Sequence, residues 1–312
     1  MLHFLSIKDL SKKDINNLVV KAIQYYHDNQ FEPILTDKII INLFLEPSTR
    51  TLTSFSIAAY KLGANVINFN PSTSSLQKDE SIVDTIQSIA AMDPDMLIIR
   101  SSENDLSKIT SKYCHNFSVI NAGSGTTNHP TQALLDLATI MLYKKNIKNL
   151  NVAICGNTLL SRVANSNINL LSMFGANITI ISPPALTTKN ITENITVAHH
   201  LNPNLIAEQD VLMILRPQEE RMMILEPQYN KERIKAHIYS SKKDLYKKLK
   251  INQITPTTLL NLKKDAIIMH PGPVNKNVEV MESVLSDDRV VINNQVKMGV
   301  CMRKAILKHI LV

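Results

Sequence analysis

Lys38-Ile39-Ile40-Ile41-Asn42-Leu43-Phe44-Leu45-Glu46-Pro47-Ser48-Thr49-Arg50-Thr51 is the stretch that sets the architecture. Its first eight residues form an apolar run of strand length. Leu52, Phe55, Ala59 and Leu62 then recur at helical spacing up to Gly63, so a strand passes into a helix across a short turn. Ser48 or Thr49 is the natural N-cap, which leaves consecutive backbone N–H groups at the helix start without intrahelical partners. Those donors and the positive end of the helix dipole attract anions. Two hydroxyls and the Arg50 guanidinium add directional donors suited to a phosphate. Taken alone, the same turn also fits an ordinary helix start carrying a surface arginine.

The rhythm continues outward. Upstream, Ser11-Lys12-Lys13-Asp14 resembles a capping box before a helix with Ile15, Leu18, Val19, Ala22 and Ile23 on one face. Downstream, strands are expected at Ala64–Phe69, Met96–Ile99 and Phe117–Ala122. A polar loop spans Asn70–Glu80, a helix carries Ile82, Val83, Ile86 and Ile89, and a polar helix covers about 103–113. A long helix opens at His129-Pro130-Thr131-Gln132. Strand–helix alternation with short connections indicates a parallel sheet covered on both faces. Ser48–Thr51, Arg100 and His129–Gln132 all follow strand ends, the edge where open α/β sheets form their ligand crevice.

After Asn146–Leu150 the pattern restarts, which marks a domain junction. Strands are expected at Asn151–Cys155, Asn177–Ile181, Val211–Leu215 and Ala266–Met269. Arg162 sits near the start of the helix after the first of these, and Arg216-Pro217-Gln218 and His270-Pro271-Gly272-Pro273 follow the last two. Met298, Val300, Cys301, Ala305, Ile306, Leu307 and Ile310 give the C-terminal segment the look of an amphipathic helix.

At 312 residues the chain suits two domains, and 44% hydrophobic with 20% charged residues is a globular profile. No apolar run reaches the roughly 18–20 residues of a membrane span, and the N-terminus has no basic region leading into an apolar core. Three widely spaced cysteines, Cys114, Cys155 and Cys301, suit reduced thiols in a cytosol, so a cytoplasmic location is expected. The net charge of +7 gathers in Lys144–Lys148 and Lys242–Lys250. Neither run is interleaved with stacking aromatics or shows a nucleic-acid-binding spacing, so both read as solvated helix faces.

Ser48-Thr49-Arg50-Thr51, His129-Pro130-Thr131-Gln132, Arg216-Pro217-Gln218-Glu219-Glu220-Arg221 and His270-Pro271-Gly272-Pro273 occur in the order found in the transcarbamylase family, and the chain resembles that family over nearly its whole length. The last two motifs resemble the aspartate-accepting branch; the ornithine branch has a His-Cys-Leu-Pro turn where this chain has His270–Pro273. The resemblance implies two doubly wound, Rossmann-like parallel-sheet domains, 1–146 and 147–296, with the active site in the cleft between them. It implies that a C-terminal helix, about 297–312, packs back onto the first domain. The reaction implied is carbamoyl phosphate plus L-aspartate to N-carbamoyl-L-aspartate and phosphate, an early step of pyrimidine synthesis, with no cofactor and no metal. Such chemistry needs two anions gathered and an oxyanion stabilised, not a covalent nucleophile.

By the same resemblance, Ser48, Thr49, Arg50, Thr51 and Ser75 hold the phosphate, and Thr51, Arg100 and His129 surround the carbonyl oxygen. Gln132 and the backbone of Pro271, Gly272 and Pro273 hold the carbamoyl NH2, while Lys78, Arg162, Arg216 and Gln218 bind aspartate. Glu46 and Arg221 resemble a pair that holds the domains closed. The loop bearing Ser75 and Lys78 resembles one that reaches into a neighbouring subunit, which implies a homotrimer with shared sites. Regulatory chains or a dihydroorotase are further partners the family admits; nucleic acid and membrane are not.

Three positions depart from the family pattern: Asp79 stands in place of a usual glycine, Leu52 in place of a basic residue, and Asn157 in place of an acidic one. The remaining alternatives are transfer to ornithine or a modified ornithine, a dinucleotide-binding module at Asn151–Ser161, and a non-catalytic scaffold. Gly156-Asn157-Thr158 lacks the Gly-x-Gly-x-x-Gly turn that the second of these requires.

Overall fold

Met96, Leu97, Ile98 and Ile99 are each at most 1% exposed, as an unbroken apolar run must be when its strand is covered on both faces. Each such side chain contributes roughly 1.5–3 kcal/mol through burial. These residues form the third strand of the first sheet in a computed structural model that describes residues 2–189, 191–192, 195–218 and 252–312. Arg221 and the Lys242–Lys250 run lie outside the described residues.

The chain divides into two units, Met1–Leu142 with Asn294–Val312, and Tyr143–Asn293. In chain order the first unit holds α1 (Lys12–His27), β1 (Ile39–Phe44), α2 (Thr49–Lys61), β2 (Asn65–Phe69), α3 (Ile82–Ala91), β3 (Met96–Ser101), α4 (Leu106–Ser111), β4 (Ser118–Ser124) and α5 (Pro130–Lys144), whose last two residues fall in the second. Its strands lie in the order β2-β1-β3-β4, all parallel. The second unit holds β5 (Asn151–Cys155), α6 (Arg162–Met173), β6 (Asn177–Ile181), β7 (Ile195–Ala198), α7 (Pro203–Ala207), β8 (Val211–Ile214), α8 (Pro256–Asn261) and β9 (Ile267–Met269). Its sheet runs β7-β6-β5-β8-β9, again all parallel. The final helix, α9 (Ile292–Leu311), returns the chain to the first unit.

Both sheets are α/β as the sequence pattern implies, and both reverse strand order at one point, between β1 and β3 and between β5 and β8. The two reversals share a device at the amino ends of their strands. The Asp95 carboxylate, just before β3, accepts from the Ile39 N–H at 2.8 Å and pairs with Lys38. Asp210, just before β8, accepts from the Asn151 N–H at 2.9 Å and pairs with Lys263. Strand β7 has no counterpart among the sequence-based expectations. It is a four-residue edge strand, Ile-Thr-Val-Ala, too short for alternation to stand out from a loop.

The Ser11 capping box is present, with the hydroxyl accepting from the Asp14 N–H and the Asp14 carboxylate accepting in return. Helix α9 departs from a simple amphipathic stripe. Arg303 and Lys304 are 3% and 1% exposed, buried alongside Met298, Cys301 and Leu307. The Arg303 guanidinium lies 5.0 Å from the Phe55 ring centroid, and Lys304 Nζ lies 4.0 Å from that of Tyr25. Lys304 also donates to the Gln30 carbonyl at 2.7 Å, and Lys308 pairs with Glu32. Among the described residues, no helix is long and apolar enough to cross a membrane.

Glu32 is the acceptor that ties α9 to α1: it pairs with Lys308 and takes the Tyr25 hydroxyl at 2.6 Å. Burial alone would raise its pKa, but the hydrogen bonds from Lys308 and Tyr25 outweigh it and bring it from 4.5 to about 2. A carboxylate with a depressed folded-state pKa stabilises fully above its unfolded value and loses that contribution as pH falls through the folded one. Urea unfolding should therefore show stability declining from about pH 4.5 toward 2, and Glu32→Gln should flatten that decline while lowering stability at neutral pH. An identical acid profile in the variant would remove Glu32 from this role.

Candidate functional site

At the carboxyl ends of β1 and β3 the first unit gathers polar groups. Ser48 is the N-cap of α2, yet its side chain makes no capping hydrogen bond. Only its carbonyl is engaged there, accepting from the Leu52 N–H at 3.1 Å. Thr49 and Arg50 are exposed at the helix start and Thr51 is buried. The helix dipole and the first-turn amides thus meet two hydroxyls and a guanidinium.

Arg100, on β3, is fixed from several sides. Its Nε lies 2.7 Å from Glu46, and Nη1 donates to the Ala122 carbonyl at 3.2 Å. Nη1 also lies 3.4 Å from His129 Nε2. A guanidinium only donates, so this contact requires Nε2 to be the unprotonated ring nitrogen. His129 is 4% exposed and caps α5, its carbonyl accepting from the Gln132 and Ala133 N–H groups. One turn further, Gln132 donates from Nε2 to Asp136 Oδ1 at 2.9 Å. Glu46, Arg100 and His129 are therefore brought into one cluster, and Gln132 is held by an acid that motif reading missed. Asp136 carried a signal nonetheless, as the lone acid in the apolar run Ala133–Leu142.

Ser75 and Lys78 lie in a short 3-10 turn, Ser75–Lys78, and both are exposed. The Ser75 hydroxyl donates to Glu80, which also takes the Thr85 hydroxyl at 2.9 Å. Asp79 ends the turn at φ 62°, ψ 19°, the left-handed region. That conformation explains why glycine suits this position, and aspartate is among the few other residues that adopt it.

In the second unit, Ser161 caps α6, and Arg162, its first residue, is 4% exposed. Arg216 and Gln218 follow β8, with Gln218 at φ 59° and its Oε1 buried without a hydrogen bond. The turn that carries them is built against β5. Gly156 has φ 119°, and a Cβ there would approach the Leu215 carbonyl oxygen to 2.6 Å, so only glycine fits. Asn157 is 1% exposed; its Nδ2 donates to the Pro217 carbonyl at 2.7 Å while its Oδ1 accepts from the Leu160 N–H. The departure at Asn157 thus has a structural use, because an ionised acid could not donate to Pro217.

The turn after β9 has its own support. His270 Nδ1 accepts from the Gly272 N–H at 2.8 Å, and Nε2 lies 3.2 Å from Glu279. The Gly272–Pro273 bond is cis. Glu279, 1% exposed, also accepts from the Asn275 N–H at 2.6 Å. Nothing local in the sequence marks Glu279, which lies nine residues beyond the histidine it holds. The thiols offer no nucleophile at neutral pH: burial pushes Cys301 up to about 11 and Cys114 up to about 12.

Asn157→Asp should place a carboxylate against the Pro217 carbonyl and cost about 1–3 kcal/mol, read as a lower urea midpoint. An unchanged midpoint would show that the Pro217 bond does not anchor the turn.

Residues 2–141 match the carbamoyl-P binding domain, and residues 148–310 the Asp/Orn binding domain, of the aspartate/ornithine carbamoyltransferases. The chain is similar to the aspartate carbamoyltransferase catalytic subunit of Ehrlichia chaffeensis, with 45% identity over 315 residues covering 100% of this chain and 98% of the relative. The catalytic subunit from Wolbachia pipientis subsp. Culex pipiens is 41% identical over 310 residues, covering 99% and 98%. Among solved structures, aspartate transcarbamoylase from Trypanosoma cruzi in complex with carbamoyl phosphate and aspartate superposes with a TM-score of 0.84 at 28% identity, covering 99% of this chain and 97% of that one. With both halves matched in order and at full length, this chain is a member of the aspartate/ornithine carbamoyltransferase family.

Proposed function

We propose that this chain transfers the carbamoyl group of carbamoyl phosphate to L-aspartate, giving N-carbamoyl-L-aspartate and phosphate, an early step of pyrimidine synthesis. The observation that carries this reading is the donor set of the first unit. Arg100 is fixed by Glu46 and the Ala122 carbonyl with His129 beside it, near a helix start whose N-cap hydroxyl makes no capping bond.

In this reading the Ser48–Thr51 helix start, Arg50 and Ser75 hold the phosphate. The aspartate amine attacks the carbamoyl carbon, forming the C–N bond and placing negative charge on the carbonyl oxygen. Thr51, Arg100 and His129 stabilise that charge, which is the term such sites use most. Collapse breaks the bond to the phosphate oxygen, and the amine proton leaves with the phosphate. Given the Arg100 contact, the proton His129 donates would sit on Nδ1. Gln132 and the Pro271–Pro273 backbone accept from the carbamoyl NH2. Lys78, Arg162, Arg216 and Gln218 bind the aspartate carboxylates, for which the planar guanidinium is well matched. Carbamoyl phosphate is already activated, so no step calls for a metal or covalent intermediate.

The working form in this reading is a cytoplasmic homotrimer in which the exposed Ser75–Lys78 turn serves a neighbouring subunit. Sedimentation should then give a mass three times the 35.0 kDa of one chain; a monomer that is fully active would contradict the shared site.

Carbamoyl transfer assayed in parallel with aspartate and ornithine should favour aspartate, and a preference for ornithine would overturn the assignment. Arg50→Ala, at an exposed position, should lower kcat/KM by about 100-fold or more while leaving the oligomer intact. Unchanged turnover would remove Arg50 from the phosphate site.

A further inference from the structure

Asp136 is 0% exposed in the middle of α5, where a carboxylate has no solvent to stabilise it. Its Oδ1 accepts from Gln132 Nε2 at 2.9 Å and from Gln295 Nε2, on α9, at 2.6 Å. Arg303, one face of which lies on Phe55, donates to the Gly299 carbonyl and is near enough for its charge to interact with that of Asp136. Gln132, Gln295 and Arg303 are themselves 7%, 2% and 3% exposed. A buried acid surrounded this closely is expensive to maintain, and an apolar residue would fill α5 at lower cost.

We propose that Asp136 is a positioning residue that fixes which end of the Gln132 amide faces the substrate, and thereby selects carbamoyl phosphate over acyl phosphates that lack the NH2 group. The proposal rests on the carbamoyl phosphate reading of the site. A glutamine amide has two ends of nearly equal shape, and rotation about its last torsion exchanges them at little cost. A carboxylate accepts and never donates. Asp136 therefore holds the Gln132 nitrogen toward itself and leaves Oε1 as the end available to a ligand. An acceptor is what a carbamoyl NH2 needs, since the opposite orientation would set donor against donor. Asparagine at 136 would lose this discrimination, because its own amide can turn to match either end of Gln132. Gln295 holds the carboxylate oxygen in place from α9, which links the C-terminal helix to selectivity for the first substrate.

Phosphonoacetamide and acetonylphosphonate test this directly. They share the phosphonate and the carbonyl and differ in NH2 against CH3. Their inhibition constants would be measured in competition with carbamoyl phosphate, on the full-length protein, with folding checked by circular dichroism and thermal melting. The wild type should favour the amide by about tenfold, the value of one good hydrogen bond. Asp136→Asn should reduce that preference to about threefold or less while both compounds still bind. Gln295→Met, which removes one donor but keeps the acid, should give an intermediate ratio and decides the matter where Asp136→Asn does not fold. A purely structural role for Asp136 would weaken both inhibitors alike, so an unchanged ratio in a folded variant would overturn the proposal. If neither compound competes with carbamoyl phosphate in the wild type, the carbamoyl phosphate reading itself fails, and this assignment with it.

Discussion

Parallel strands cannot be joined by a tight turn, and most of this molecule follows from that constraint. Each strand leads instead into a longer crossover, in most cases a helix, so helix starts collect along the carboxyl edge of each sheet. At the two reversals of strand order, β1 with β3 and β5 with β8, neighbouring connections diverge to opposite faces and leave room between them. Ser48 and Arg50 follow β1 and Arg100 sits at the carboxyl end of β3, while Asn157 and Arg162 follow β5 and Arg216 follows β8. The opposite edge is pinned in both units by an aspartate bonded to the neighbouring strand's first N–H, Asp95 in one and Asp210 in the other. One edge is closed by backbone pairing, and the other is supplied with donors.

In each unit, polar groups behind the candidate residues carry much of their definition. Glu46 and the Ala122 carbonyl hold Arg100, Asn157 holds the Pro217 carbonyl, and Glu279 holds His270. Buried acids and amides of this kind are weak contributors to stability, because desolvation offsets most of what their hydrogen bonds return. What they supply is orientation. A carboxylate dictates which end of an amide or imidazole faces it, and the proposed recognition of an NH2 group and an oxyanion depends on that choice. Helix α9 belongs to the same arrangement: its buried cations meet Tyr25, Phe55 and Glu32, and its Gln295 meets Asp136.

Membership of the carbamoyltransferase family and this geometry explain each other at several points. The uncapped Ser48 hydroxyl would be a defect in a purely structural helix, where a side-chain cap is worth about 1 kcal/mol. Under the proposed function it is a donor for the phosphate. Asp79 shows how a departure from the family pattern can be accommodated. Its φ of 62° is the conformation glycine was expected to supply, so the backbone path survives while a negative charge is added beside Lys78.

The sequence by itself determined the alternation of strands and helices, the two sheets and the motifs at their edges. Apolar periodicity and strand-end polar clusters are local signals, set by residues a few positions apart. It also marked the helix cap at Ser11, whose partner is three residues away. The tertiary structure decided what local signals cannot carry. Arg303 and Lys304 are not among the apolar residues that marked the C-terminal helix, yet they are buried with them, because their partners Phe55, Tyr25 and Glu32 lie more than two hundred residues earlier. β7 emerged only as a partner for β6, and Asp136 acquired its meaning only when Gln295, 159 residues away, reached the same oxygen. A residue's chemistry is written in the sequence, but the direction in which that chemistry points is fixed by neighbours that only folding brings into contact.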